Sequence, residues 1–120
     1  MTRQNQNYYG VVRSTCKRCN LETIRIDEEY SNVEISLRIR DLIKQSAIVI
    51  ADITHERPNV YYEIGLAHQA GKPTILTARY GTKAHFDIRN FKILYYRNLN
   101  DLAAELKKQV KKMSTLWEIK

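Results

Sequence analysis

Two carboxylates, Asp52 and Glu63, are the side chains in this sequence best spaced to do chemistry together. From Ser46 to Pro73 the chain reads SAIVIADITHERPNVYYEIGLAHQAGKP. An apolar run of strand length ends on Asp52. A short polar loop follows, and then a helix that carries Glu63 in or just after its first turn. This order brings both acids to one edge of a sheet, the crevice beyond the carboxyl ends of the strands where open α/β folds bind ligands. Acids there suit nucleophilic attack, or contacts to the hydroxyls and ring nitrogens of a small molecule.

Each residue has a plainer reading beside the chemical one. With Asn59 as N-cap, Val60, Ile64, Ala67 and Gly71 share one helical stripe, and Glu63 falls at its border. A capping-box acid would stand at position 62, which is Tyr. Glu63 is therefore either a ligand-facing acid or one that complements the helix dipole. Asp52 is either a turn acid of the 52–58 loop or a ligand contact. Asp27 ends an earlier strand-like run and is read in the same two ways. Gly65 permits close approach of a ligand, or of another helix. Tyr62, like Tyr61, can stack on a flat ligand or sit at a core rim. Asn59, Tyr62 and Gly65 join Asp52 and Asp27 as the substrate-binding candidates. His68 is read as structural.

The elements that must position these residues alternate. Gln4 to Asn20 has helical spacing, with Tyr8, Val12, Cys16 and Cys19 on one side. Leu21 to Ile26 reads as a strand and 27–31 as a polar loop. Val33 to Gln45 is an amphipathic helix. Ala47 to Ile53 is apolar apart from Asp52, as in a strand buried on both faces of a parallel sheet. Asn59 to Ala70 is a helix stopped by Gly71 and Pro73. Strands follow at Thr74 to Ala78 and Phe91 to Tyr96, then a helix capped by Asn98 or Asn100 and running to about Met113. Trp117 is expected to pack back on the body. The pattern predicts one α/β domain over residues 1–120, a three-layer sandwich of flavodoxin or Rossmann type. Its sheet would hold about four parallel strands with helices on both faces.

Composition fits an ordinary globular domain, 43% hydrophobic and 28% charged over 120 residues. No apolar run approaches the ~20 residues of a membrane span, and the N-terminus has no apolar signal core, so a cytoplasmic location is expected. Cys16 and Cys19 lack a second cysteine pair, and the histidines lack finger spacing. They are read as helical cysteines, at least one facing the core, with no metal and no cofactor expected. The net charge of +7 suits an anionic ligand. Lys107, Lys108, Lys111 and Lys112 lie on one helix side, read as a solvated face. A nucleic-acid binder built on them would lose affinity steeply with salt. No nucleic-acid motif accompanies them, and nucleic acid is not an expected partner.

The segment ADITHERPNVYYEIGLAHQAGKPTIL resembles the signature of the nucleoside 2-deoxyribosyltransferase-like superfamily, whose fold is related to Toll/interleukin-receptor (TIR) domains. It is most similar to a branch with the pattern ADLTxxNPNVYYELGxAHAxGKPxIL. HFDIRNFKILYY and RIDEE extend the similarity from about Leu21 to Val110. The resemblance implies a nucleoside or nucleotide ligand, action on N-glycosidic bonds as a deoxyribosyltransferase or N-glycosidase, and Glu63 as the nucleophile. It places Asp52 at the base or sugar and implies a homo-oligomer. The alternative it allows is a catalytically inactive nucleotide-binding or TIR-like signalling module. Three departures stand out. Arg57 replaces a usual Asn, His85 replaces a usual Pro, and no strand-like run precedes Tyr8, where the family has its first strand.

Overall fold

The computed structural model describes residues 3–23, 32–55, 58–83 and 91–116. The elements run α1 (Arg3–Arg18), α2 (Asn32–Gln45), β1 (Val49–Asp52), α3 (Pro58–Gln69), β2 (Thr74–Arg79), β3 (Ile93–Tyr96) and α4 (Leu99–Leu116). Among the described residues the three strands form one sheet in the order β1-β2-β3, all parallel. Parallel neighbours need crossovers. α3 supplies the first, between β1 and β2, while residues 84–90 of the second connection lie outside the described residues.

Strand side chains alternate between two faces. On one face Ile75, Leu94 and Tyr96 pack with Val12 and Cys16 of α1 and with Leu102, Leu106 and Val110 of α4. On the other, Ala51, Leu76, Ala78 and Ile93 meet Val60, Tyr61 and Ile64 of α3. Ile43 of α2 packs with Ala67 and Leu66 of α3 beside Val49. The result is a three-layer α/β sandwich of Rossmann-like type, as the alternating pattern predicts. β2, central and covered on both faces, has four consecutive buried residues, Ile75, Leu76, Thr77 and Ala78.

Element ends follow local chemistry. Gly71 adopts φ 69° and ends α3. Its N–H donates to the His68 carbonyl at 3.0 Å, and Lys72 N–H to Ala67 at 3.0 Å. This is the double closure that a left-handed residue after a helix allows. α1 stops two residues short of the expected Asn20 for the same reason. Asn20 takes φ 63°, and Leu21 N–H returns to the Cys16 carbonyl at 2.9 Å. Asn tolerates this conformation better than most side chains do. Asn98 caps α4, its Oδ1 accepting from Asp101 N–H at 2.8 Å.

The expected strand from Leu21 to Ile26 is not seen in its described part, since Leu21, Glu22 and Thr23 belong to no strand. Its remainder, together with Asp27, Arg57, His85 and Trp117, lies outside the described residues. Cys16 is buried, and Cys19 sits partly buried in the turn after α1; both are free thiols. No helix among the described residues is long and apolar enough to cross a membrane.

Candidate functional site

Asp52 ends β1 directly opposite Thr77 of β2. Because paired residues share a face, both side chains point toward α1 and α4. The Asp52 carboxylate accepts three hydrogen bonds. Thr54 N–H reaches Oδ1 at 2.9 Å. The Thr77 hydroxyl reaches Oδ2 at 2.8 Å, and the Tyr96 hydroxyl reaches Oδ2 at 3.0 Å. Tyr8 of α1 lies 2.7 Å from Thr77 Oγ1. A threonine hydroxyl carries one hydrogen, and here it goes to Asp52. Tyr8 must therefore be the donor to Thr77, and the chain of bonds runs one way, from Tyr8 through Thr77 to the carboxylate.

Both phenols keep their protons in this setting. Burial pushes the Tyr8 hydroxyl well above its ordinary value, with the negative charge of Asp52 adding to the effect. Tyr96 is pushed up to about 12, first by burial and then by Asp52. The Tyr8 and Tyr96 rings lie 6.2 Å apart between centroids, and the Arg79 guanidinium carbon is 5.9 Å from the Tyr96 ring centroid.

The same acid fixes the loop that leaves β1. Asp52 holds Thr54 N–H, and Thr54 Oγ1 accepts from Arg79 N–H at 3.0 Å. Ile53 N–H meanwhile donates to the Thr77 carbonyl at 2.9 Å. The chain is thus latched to the end of β2 just before it turns toward α3. Asp52 is both a turn acid, as its plainer reading holds, and the centre of an interior network. A carboxylate offers about four acceptor directions, of which the described residues take three.

Glu63 is partly buried on α3, beside the buried Ile64. α3 covers the opposite sheet face from the one Asp52 joins. The two acids therefore belong to neighbouring elements but to different layers. Tyr62 is exposed at 43%. Gly65 is also exposed, and a Cβ built on it meets nothing within 4 Å among the described residues. Close packing of another described helix does not explain this glycine. Asn59 occupies the first turn of α3, not the cap position, because the helix begins at Pro58. Proline suits that place, having no N–H to leave unpaired. Among the described residues no group of three or more His, Cys, Asp or Glu is arranged to hold a metal.

Sequence reasoning did not anticipate Tyr8, Thr77 and Tyr96 as partners of Asp52. A trace was present. Thr77 is a hydroxyl within the run TILTA, and it is completely buried. A buried polar side chain needs a partner, but nothing local names which one.

Fold and site together define an α/β sandwich with an acid, Asp52, at the carboxyl end of a parallel sheet. At the sequence level no protein-family model and no curated protein matches the chain. Among solved structures it resembles the CMP N-glycosidase BcmB from Clostridium botulinum. That match has a TM-score of 0.75 and 19% sequence identity, and it covers 88% of this chain and 91% of that one. At that identity the likeness is one of fold.

Proposed function

We propose that this protein acts on the N-glycosidic bond of a nucleotide or nucleoside, in the cytoplasm, with Glu63 as nucleophile. The observation that carries the reading is the fold match to an enzyme named as a CMP N-glycosidase, nearly end to end in both chains. Supporting it, α3 follows β1 directly, starts beyond the carboxyl end of that strand and carries Glu63 in its second turn. Ligands of open α/β sheets bind beyond the carboxyl ends of the strands.

The chemistry is that of a retaining glycosidase. A Glu63 carboxylate oxygen attacks the anomeric carbon, the carbon–nitrogen bond breaks, and its electron pair leaves with the base, which takes up a proton. Water then opens the glycosyl ester and returns the carboxylate and a free sugar or sugar phosphate. If a second base attacks instead of water, the outcome is transfer. Asn59, Tyr62 and Gly65, close to Glu63 along α3, are the proposed substrate contacts, with Asp52 and Asp27 joining them. Self-association belongs to the same reading, a neighbouring copy completing the pocket.

The test is release of free base from CMP, other nucleoside monophosphates, deoxynucleosides and NAD, followed by chromatography. Wild type should release base over many turnovers. Glu63→Gln should lower the rate by about 10³-fold or more, the scale at which losing a nucleophile is felt. Equal release by both proteins would refute the assignment. Stoichiometric binding of nucleotide with no product would instead establish the binding-module alternative.

A further inference from the structure

Charge is distributed unevenly between the layers. α1 and α4 together contain eight Lys and Arg residues and two acids, Asp101 and Glu105, which is +6 of the chain's net +7. α1 contains no acid at all. The rest of the chain is close to neutral. Taken singly, each helix shows an ordinary solvated face. The fold sets them side by side on the same sheet face, where Val12 and Cys16 share a core with Leu106 and Val110.

The two helices also run in the same direction. Tyr8 of α1 meets Thr77 and Tyr96 near the carboxyl end of the strands. α4 starts there as well, directly after β3. Lys17 lies as far beyond Tyr8 as Lys108 lies beyond Leu99, roughly 14 Å along each axis. Lys17 and Arg18 are therefore level with Lys107 and Lys108, with Arg13 nearer the Asp52 end and Lys111 and Lys112 further out, and all are exposed. Packed helices lie about 8–10 Å apart, so these exposed cations share the end of the layer away from Asp52 and make its outer surface basic. Glu105 offsets only part of it, bridging Lys108 at 3.6 Å.

We infer that this surface binds the phosphate backbone of a double-stranded nucleic acid without reading its sequence. Two further observations select that partner. A helix that enters a bilayer presents large apolar side chains beside its cations. The exposed large hydrophobics among the described residues are Leu37, Tyr62, Tyr80 and Tyr95, and none lies on α1 or α4. Single strands are held by aromatic stacking platforms, and among the described residues α1 and α4 carry no exposed aromatic. What remains are cations spaced along two parallel rods, which suit regularly spaced phosphates.

The experiment is fluorescence anisotropy with labelled duplex DNA and duplex RNA of arbitrary sequence, about 20 base pairs long, across about 50–300 mM KCl. Binding is expected at low salt, with log K falling against log salt at a slope of about −3 to −6. Reversing one charge on each helix, Lys17→Glu with Lys111→Glu, should weaken binding at least ~10-fold at about 100 mM salt and make the slope shallower by about 2. Arg40→Glu with Lys44→Glu on α2 makes the same change in net charge and should weaken binding less than ~3-fold. Circular dichroism checks that both variants fold; if either does not, Lys17→Ala with Lys111→Ala should give the same ordering at a smaller size. Equal losses from the α1/α4 and α2 pairs would overturn the inference, since net charge alone would then explain binding. Absence of binding at about 50 mM salt, or tighter binding to phosphatidylserine vesicles than to either duplex, would overturn it as well.

Discussion

The two faces of the sheet do different work. The face under α1 and α4 buries the larger cluster, with Leu102, Leu106 and Val110 fully enclosed, and it also encloses the hydrogen bonds to Asp52. The face under α3 buries fewer and smaller residues, among them Ala51, Ala78 and Ile64. Its helix carries Glu63, Tyr62 and Gly65 toward the surface. One face concentrates apolar burial and satisfied polar groups, which stabilise. The other carries a half-buried acid and, at Gly65, a stretch of helix with no described neighbour against it. Glu63 is the candidate for chemistry because of where it stands, and Asp52 is first of all an organiser of the strand ends.

That contrast can be broken by substitution. The largest expected effect is on the first face. Leu106→Ala should cost about 2–5 kcal/mol, the range for emptying a fully buried leucine site, read from the urea midpoint. Asp52→Ala should cost about 2–4 kcal/mol, because it leaves the hydroxyls of Thr77 and Tyr96 without their acceptor. If Asp52→Ala costs under about 0.5 kcal/mol, the network is ornamental and the contrast fails.

Alkaline pH probes the same face. The folded chain holds the Tyr96 proton to about 12, against an ordinary value of 10.0. Between those values the unfolded state binds fewer protons, so the contribution of Tyr96 to stability should be constant below about pH 10 and be lost from there to about pH 12. The decline should be shallower in Tyr96→Phe, as followed by denaturant titration at each pH.

The second face should show the opposite behaviour. Gly65→Ala should raise stability by about 0.5–1 kcal/mol, since alanine is the better helix residue and its methyl meets no described neighbour. If the open space is used by substrate, the same variant should raise KM. At Glu63 the effect falls on activity, and Glu63→Gln should cost less stability than Asp52→Ala while base release collapses. A large loss of stability there would make Glu63 a structural acid.

Much of this frame was legible in the residues. The apolar run into Asp52, the Gly71–Pro73 stop and the spacing of Val33 to Gln45 each specify an element through local rules. The structure places those elements within a residue or two of expectation. Asn20 was harder to read, because its left-handed turn depends on the closure after Arg18 and not on a glycine. Open to no local rule was the joining of Tyr8, Asp52, Thr77 and Tyr96. They come from four elements and meet only once the strand register pairs Asp52 with Thr77 and Arg79 with Tyr96. Periodicity along a single segment marks Tyr8 as one more core residue. The expected shared edge for the two acids was not legible from chain order, since side-chain alternation sends Asp52 to the layer opposite α3, which carries Glu63.

The pairing of α1 with α4 bears on how the chain acquires its shape. α1 is made early and α4 late, yet each buries its apolar stripe against the other. During synthesis, α1 waits with Val12 and Cys16 short of their α4 partners until α4 has emerged. Contacts that close so long a loop come late and slowly. The nascent protein therefore passes through a period in which its first helix is a sticky, positively charged arm, and chaperone capture during synthesis should map to that helix.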